Sequence, residues 1–166
     1  MMPYIKFHAM KTKSHLFQNL ILAFILTVSA TVTQAQKTDL QTAIENKQFI
    51  FDAQTVLPTN GTVRQINGER YQIRISGDSL LSELPYFGRA YVAPVNGEGG
   101  MHFTSTRFNY SYKPRKKGGW EILIQPKDVS DVREFMLTVS ESGSATLRAL
   151  SDNRQPISFN GQVHAI

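Results

Sequence analysis

The sequence predicts a mainly β fold: one short helix, then about eight antiparallel strands in a meander, curled as an open or closed barrel of lipocalin-like character. The first observation behind this is alternation. Tyr71, Ile73 and Ile75 alternate with Gln72 and Arg74, Trp120, Ile122 and Ile124 with Glu121 and Gln125, and Phe135, Leu137 and Val139 with Glu134 and Thr138. A period of two turns one face inward and leaves the other in water. The second observation is the recurrence of Asn-Gly at Asn60-Gly61, Asn67-Gly68, Asn96-Gly97 and Asn160-Gly161. This dipeptide tolerates the positive φ angles of two-residue hairpin turns, and repeated hairpins make antiparallel neighbours. Evenly spaced strands suit a barrel, with a two-sheet sandwich as the alternative.

The elements follow in chain order. Lys6, Lys11 and Lys13 precede the apolar run Leu20 to Ala30, and Thr33-Gln34-Ala35 puts small residues at the positions a signal peptidase reads. Residues 1–35 therefore read as an export signal cleaved after Ala35, leaving residues 36–166 as a single mainly β domain. Leu16 to Ala30 is too short to span a bilayer, which needs about 20 apolar residues. Next, Leu40, Ala43 and Ile44 recur at helical spacing, with Thr38 or Asp39 as cap and an end near Asn46 or Lys47. "QFIFDAQTV" reads as a strand, and "TVRQI", whose parity is mixed, as the place for a bulge. From Asp78 to Asn96 lies a long apolar connection. In it "SLLSEL" forms a short helical turn, Pro85 ends that turn, Gly88 takes an unusual backbone angle, and "RAYVAP" becomes the next strand. "NGEGG" is a hairpin turn, because strand-like "MHFTSTRF" follows it where a phosphate loop would need a helix. "FNYSYK", "SATLRAL" and "QPISFNGQV" complete the strands, with reversals at Gly118-Gly119 and at Glu141 to Ser144.

Charge and composition bound the partners. The first 35 residues hold three of the 18 basic side chains and none of the 13 acids, so the exported part carries a net charge of only +2. Nucleic-acid binding asks for a basic face with stacking aromatics. The single basic cluster, "KPRKK" at Lys113 to Lys117, reads instead as a solvated hairpin tip. There is no cysteine, hence no disulfide framework, no thiolate metal site and no residue for a lipoprotein anchor.

Chemistry finds few candidates. Beyond the signal the histidines are His102 and His164, which form no ligand pair, so no metal and no cofactor is expected. No serine sits in a G-x-S-x-G elbow. Asp78, Glu83 and Glu98 could supply paired carboxylates only if folding brought two of them together. Tyr86, Arg89 and Tyr91 are the candidate binding residues: two large faces with hydroxyl handles and one guanidinium fork suited to a carboxylate or phosphate.

"LPYFGRAY", the Gly-Gly-Trp segment and "NRQPISFNG" also carry a likeness. Together with the stretches between them, they resemble a family of exported bacterial proteins, best represented in Bacteroidetes and known only as a domain of unknown function. The resemblance implies an exported, single-domain, mainly β protein and brings no activity, cofactor or catalytic residue. The expected role is a non-catalytic binding module of the cell envelope, periplasmic or secreted, whose partner is a small molecule or an envelope protein. The alternatives are an envelope assembly protein acting through a strand edge and, behind it, a carboxylate-dependent hydrolase.

Overall fold

The computed structural model describes residues 39–59, 61–66, 70–91 and 99–166, all within the compact unit Lys37–Ile166. Residues 1–35, on which the expected export signal falls, Thr38, Asn60, Glu98 and the expected turn dipeptides Asn67-Gly68 and Asn96-Gly97 lie outside the described residues.

The helix α1 covers residues 39–45 and buries Leu40, Ala43 and Ile44, the stripe that its spacing marked. Two turns are marginal alone. Burial of a side chain such as Ile44, 0% exposed, contributes about 2 kcal/mol and holds the helix to the sheet. Lys47 ends it at φ 56°, in the left-handed region, and its carbonyl accepts from Gly77 N–H at 2.9 Å. The Tyr110 hydroxyl donates to Ile44 O at 2.7 Å, a carbonyl at the helix end that also accepts Lys47 N–H at a longer 3.3 Å.

Ten strands follow: β1 (Gln48–Pro58), β2 (Arg64–Gln65), β3 (Gln72–Ser76), β4 (Ser79–Leu84), β5 (Met101–Ser105), β6 (Phe108–Pro114), β7 (Trp120–Pro126), β8 (Glu134–Val139), β9 (Ser144–Leu150) and β10 (Ile157–Ala165). All pairings are antiparallel, and one hydrogen-bonded path runs β5-β4-β3-β1-β10-β9-β8-β7-β6, with β2 beside β1. Its terminal strands, β5 and β6, are joined by Thr106 and Arg107 alone. The sheet must therefore curl until its ends meet, which makes a nearly closed barrel and not a sandwich of two sheets. Asp128 pins that junction. Its Oδ2 accepts Thr106 N–H at 3.1 Å and Arg107 N–H at 3.2 Å, and its Oδ1 accepts the hydroxyl of buried Ser105. The Ser105 hydrogen bond, more than the backbone bonds, holds the Asp128 carboxyl below its ordinary value.

Three expectations change. "SLLSEL" is strand β4, with Leu80, Ser82 and Leu84 inward, because Gly77 at φ 60° starts a hairpin directly after β3. Asn160-Gly161 is no turn but the middle of β10, opposite Thr55 and Ala53. A Cβ at Gly161 would overlap the Asp52 carbonyl, so this glycine serves close strand approach. The bulge lies in β1 between Ala53 and Thr55, not in "TVRQI". It shifts the inward row from Phe49, Phe51 and Ala53 to Val56 and keeps all four buried. The reversals at Gly118-Gly119 and Gly143 hold, each glycine at positive φ.

Inward side chains fill the barrel as one cluster that includes Phe49, Phe51, Ile75, Leu84, Ile124, Phe135, Leu147 and Phe159. Phe103 of β5 stacks on Phe135 of β8 at 6.1 Å and 9°, joining two strands that do not pair with each other.

Candidate functional site

The chain leaves β4 at Pro85, which is buried, and turns outward through residues 86–91. The Tyr86 ring packs against the core. Its hydroxyl is shared between two carbonyl acceptors, Arg89 O at 2.9 Å and Gln155 O at 3.1 Å. Burial raises its pKa above the ordinary tyrosine value, against the opposing pull of Arg154. Backbone bonds continue the attachment, from Gln155 N–H to Arg89 O at 3.1 Å and from Tyr91 N–H to Asn153 O at 2.8 Å. The expected strand "RAYVAP" is reduced, among the described residues, to a single bridge between Ala90 and Arg154. Gly88 is not at positive φ. Its need for glycine is space, since a Cβ there would collide with the Tyr86 hydroxyl.

Arg154 is the bolt of this corner. It is 4% exposed, lies 5.0 Å over the Tyr86 ring, and pairs with Asp131 at 3.0 Å. Its Nη1 also donates long bonds to Gly99 O at 3.4 Å and Gly100 O at 3.3 Å. A buried guanidinium is tolerable only when its donors are used, and here it ties three loops together while using them. Sequence reasoning passed over Arg154, because nothing in "NRQP" tells a buried arginine from a solvated one.

The three candidate residues divide. Tyr86 turns to the core, whereas Arg89 and Tyr91 face solvent, with Tyr91 64% exposed. Phe87 is also exposed, and the Arg64 guanidinium of β2 lies 5.3 Å from its ring centroid. Neither Arg64 nor Arg89 has an ion-pair partner among the described residues. The outcome is a surface of aromatics and guanidiniums on a fastened backbone.

A model of the family described as a domain of unknown function, DUF4251, matches residues 31–163. The chain belongs to DUF4251. A solved DUF4251 family protein from Bacteroides eggerthii DSM 20697 is similar in fold, with a TM-score of 0.62 at 17% identity over 79% of this chain and 88% of that one. No curated protein matches.

Other candidate groups of this DUF4251 chain stay apart. Asp78 sits in the β3–β4 turn, and Glu83 lies five residues on in β4, where it accepts from Gln72 at 2.9 Å. At the rise of an extended strand they are roughly 16 Å apart, beyond the spacing of a glycosidase carboxylate pair. His102 stands on β5 opposite Glu83, and His164 lies 3.5 Å from Asp52. Among the described residues no three His, Asp or Glu side chains are grouped to hold a metal. No helix among them is long and apolar enough to cross a membrane.

Proposed function

We propose that this DUF4251 chain is an exported, non-catalytic binding module of the cell envelope, with its partner surface on the outer side of the 85–91 corner. The observation that carries the reading is the outward set of Phe87, Arg89 and Tyr91, with Arg64 against Phe87. Aromatics and arginine are the residue types in which binding energy concentrates. Fastening the backbone through Tyr86 and Arg154 lowers the ordering cost of binding. The filled interior favours an envelope protein over a small molecule as partner, since small ligands take concave, largely enclosed sites. Export is supported by the basic, apolar and small-residue order of residues 1–35.

The test compares wild type with Arg89→Glu and Tyr91→Ser, both at exposed positions, in capture of envelope proteins and in urea midpoint. Loss of capture with an unchanged midpoint is the expected result; unchanged capture by both variants counts against the corner. N-terminal sequencing of the exported chain should begin at Gln36. A second reading, assembly through a strand edge, is favoured by the outer edges of β5 and β6, which pair with no strand among the described residues.

A further inference from the structure

The outer face of β6, β7 and β8 is polar except at one cross-strand row. Ser111 stands opposite Leu123, and Leu123 opposite Met136. The flanking rows read Lys113, Glu121 and Thr138 on one side, and Asn109 and Gln125 on the other. Over the apolar row opens a hollow of about 330 Å³, whose lining includes Ser111, Lys113, Glu121, Leu123 and Met136. Met136 is 42% exposed there. Ser111, the smallest side chain in the row, leaves the way from the sheet edge to Leu123 open.

That edge is β6 itself. The bonds Arg115 N–H to Gly119 O at 3.0 Å and Lys127 N–H to Arg107 O at 2.7 Å set the phase of the β6–β7 ladder. Odd-numbered residues of β6 turn their N–H and C=O groups to β7, and even-numbered ones turn them outward. The Lys47 ammonium covers Phe108 and Tyr110 from one side, at 5.9 and 5.8 Å from the ring centroids, and Pro114 has no N–H. The open stretch is short, centred on Tyr110 and Tyr112. It leads into the β6–β7 tip, where Lys113 is held by Glu121 at 2.6 Å. Arg115, Lys116 and Lys117 are exposed and form no ion pair among the described residues.

We propose that β6 is a docking edge for an extended segment of a partner protein, apolar opposite Ser111 and acidic at its N-terminal end. The inference rests on the strand-edge reading and is independent of the corner surface. An added antiparallel strand bonds to Tyr110 and Tyr112 and faces Ser111 in a non-hydrogen-bonded pair, where side chains stand closest. A long apolar side chain there reaches over Ser111 onto Leu123. Antiparallel direction brings the segment's N-terminus to the cationic tip, and complementary charge fixes direction as well as partner.

The probe is a synthetic peptide of three aspartates followed by alternating leucine and threonine, with one control carrying lysines for the aspartates and another carrying threonines for the leucines. Amide exchange is followed by NMR on the intact domain. The aspartate peptide should slow exchange at Tyr110 and Tyr112 by about tenfold or more, leaving Ser111 and Lys113, already bonded to β7, unchanged. Ser111→Trp should abolish this protection, and Thr104→Trp on the outer face of β5 should not. Joint charge reversal of Arg115, Lys116 and Lys117 to Glu should weaken binding about tenfold or more. Equal protection by the lysine control overturns the acidic occupant while leaving a docking edge. No protection by any peptide at millimolar concentration overturns the edge as well. Protection without peptide that grows with protein concentration assigns the edge to a second copy and overturns the proposal.

Discussion

At Gly161 one missing methyl decides whether two central strands can close. The residue faces Ala53 across the bulge, and a Cβ would overlap the Asp52 carbonyl. Gly161→Ala should destabilise the domain by about 1–3 kcal/mol, as overpacked sites do. Gly99→Ala, with open space around it, should stay near zero, and urea midpoints compare the two. Arg154→Met tests the corner in the same way. It removes the partner of Asp131 and the cation over Tyr86. Because Asp131 is 31% exposed and can rehydrate, the expected loss is about 3 kcal/mol, the lower end for a broken buried pair. Amide exchange at Tyr91 and Gln155, whose bonds join the corner to residues 153–155, should accelerate beyond the global change. Neither residue announced its role in the sequence. An Asn-Gly pair favours a turn unless strand partners claim it, and an arginine reads as solvated until loops distant in sequence bury it.

Among the elements, β4 teaches the same lesson through competition. "SLLSEL" has no intrinsic bar to a helical turn, but β3 and β5 pair with it on both sides, and ladder bonds outweigh so short a helix. The bulge in β1 was legible in principle: apolar parity in "QFIFDAQTV" switches between Ala53 and Val56, a signal that reading the segment as one even strand passes over. The junction of β5 and β6 makes a prediction of its own. Asp128 has its pKa lowered in the folded state, first by the Ser105 hydroxyl and then by the Thr106 and Arg107 amides. Its contribution is therefore complete above the ordinary carboxyl pKa of about 4 and is lost as pH falls through the lower folded value. Asp128→Asn should lower the thermal midpoint near neutrality, match wild type at the acid end, and so flatten the slope between pH 5 and 2, about the range over which an aspartate with a depressed pKa acts.

For the domain as a whole, one core touches every wall: α1 through Ile44, β1 through Phe49 and Phe51, and the far strands through Ile124 and Phe135. Unfolding should be a single cooperative transition. Fluorescence of Trp120, the chain's one tryptophan and 6% exposed, should coincide with far-ultraviolet circular dichroism; separated midpoints would show that the surroundings of β7 melt apart from the rest and would overturn the single transition. The sequence by itself determined the mainly β class, the helical stripe at Leu40, Ala43 and Ile44, most strand positions and the glycine turns at Gly118, Gly119 and Gly143, because alternation and positive φ are local properties. Only the tertiary structure decided that the sheet curls until its ends meet at Thr106 and Arg107, that Tyr86 turns inward while Arg89 and Tyr91 turn out, and that Arg154 is buried. Each of these depends on backbone and charge brought together from distant parts of the chain, where the cost of burying an unmatched group is settled by neighbours that local pattern does not name.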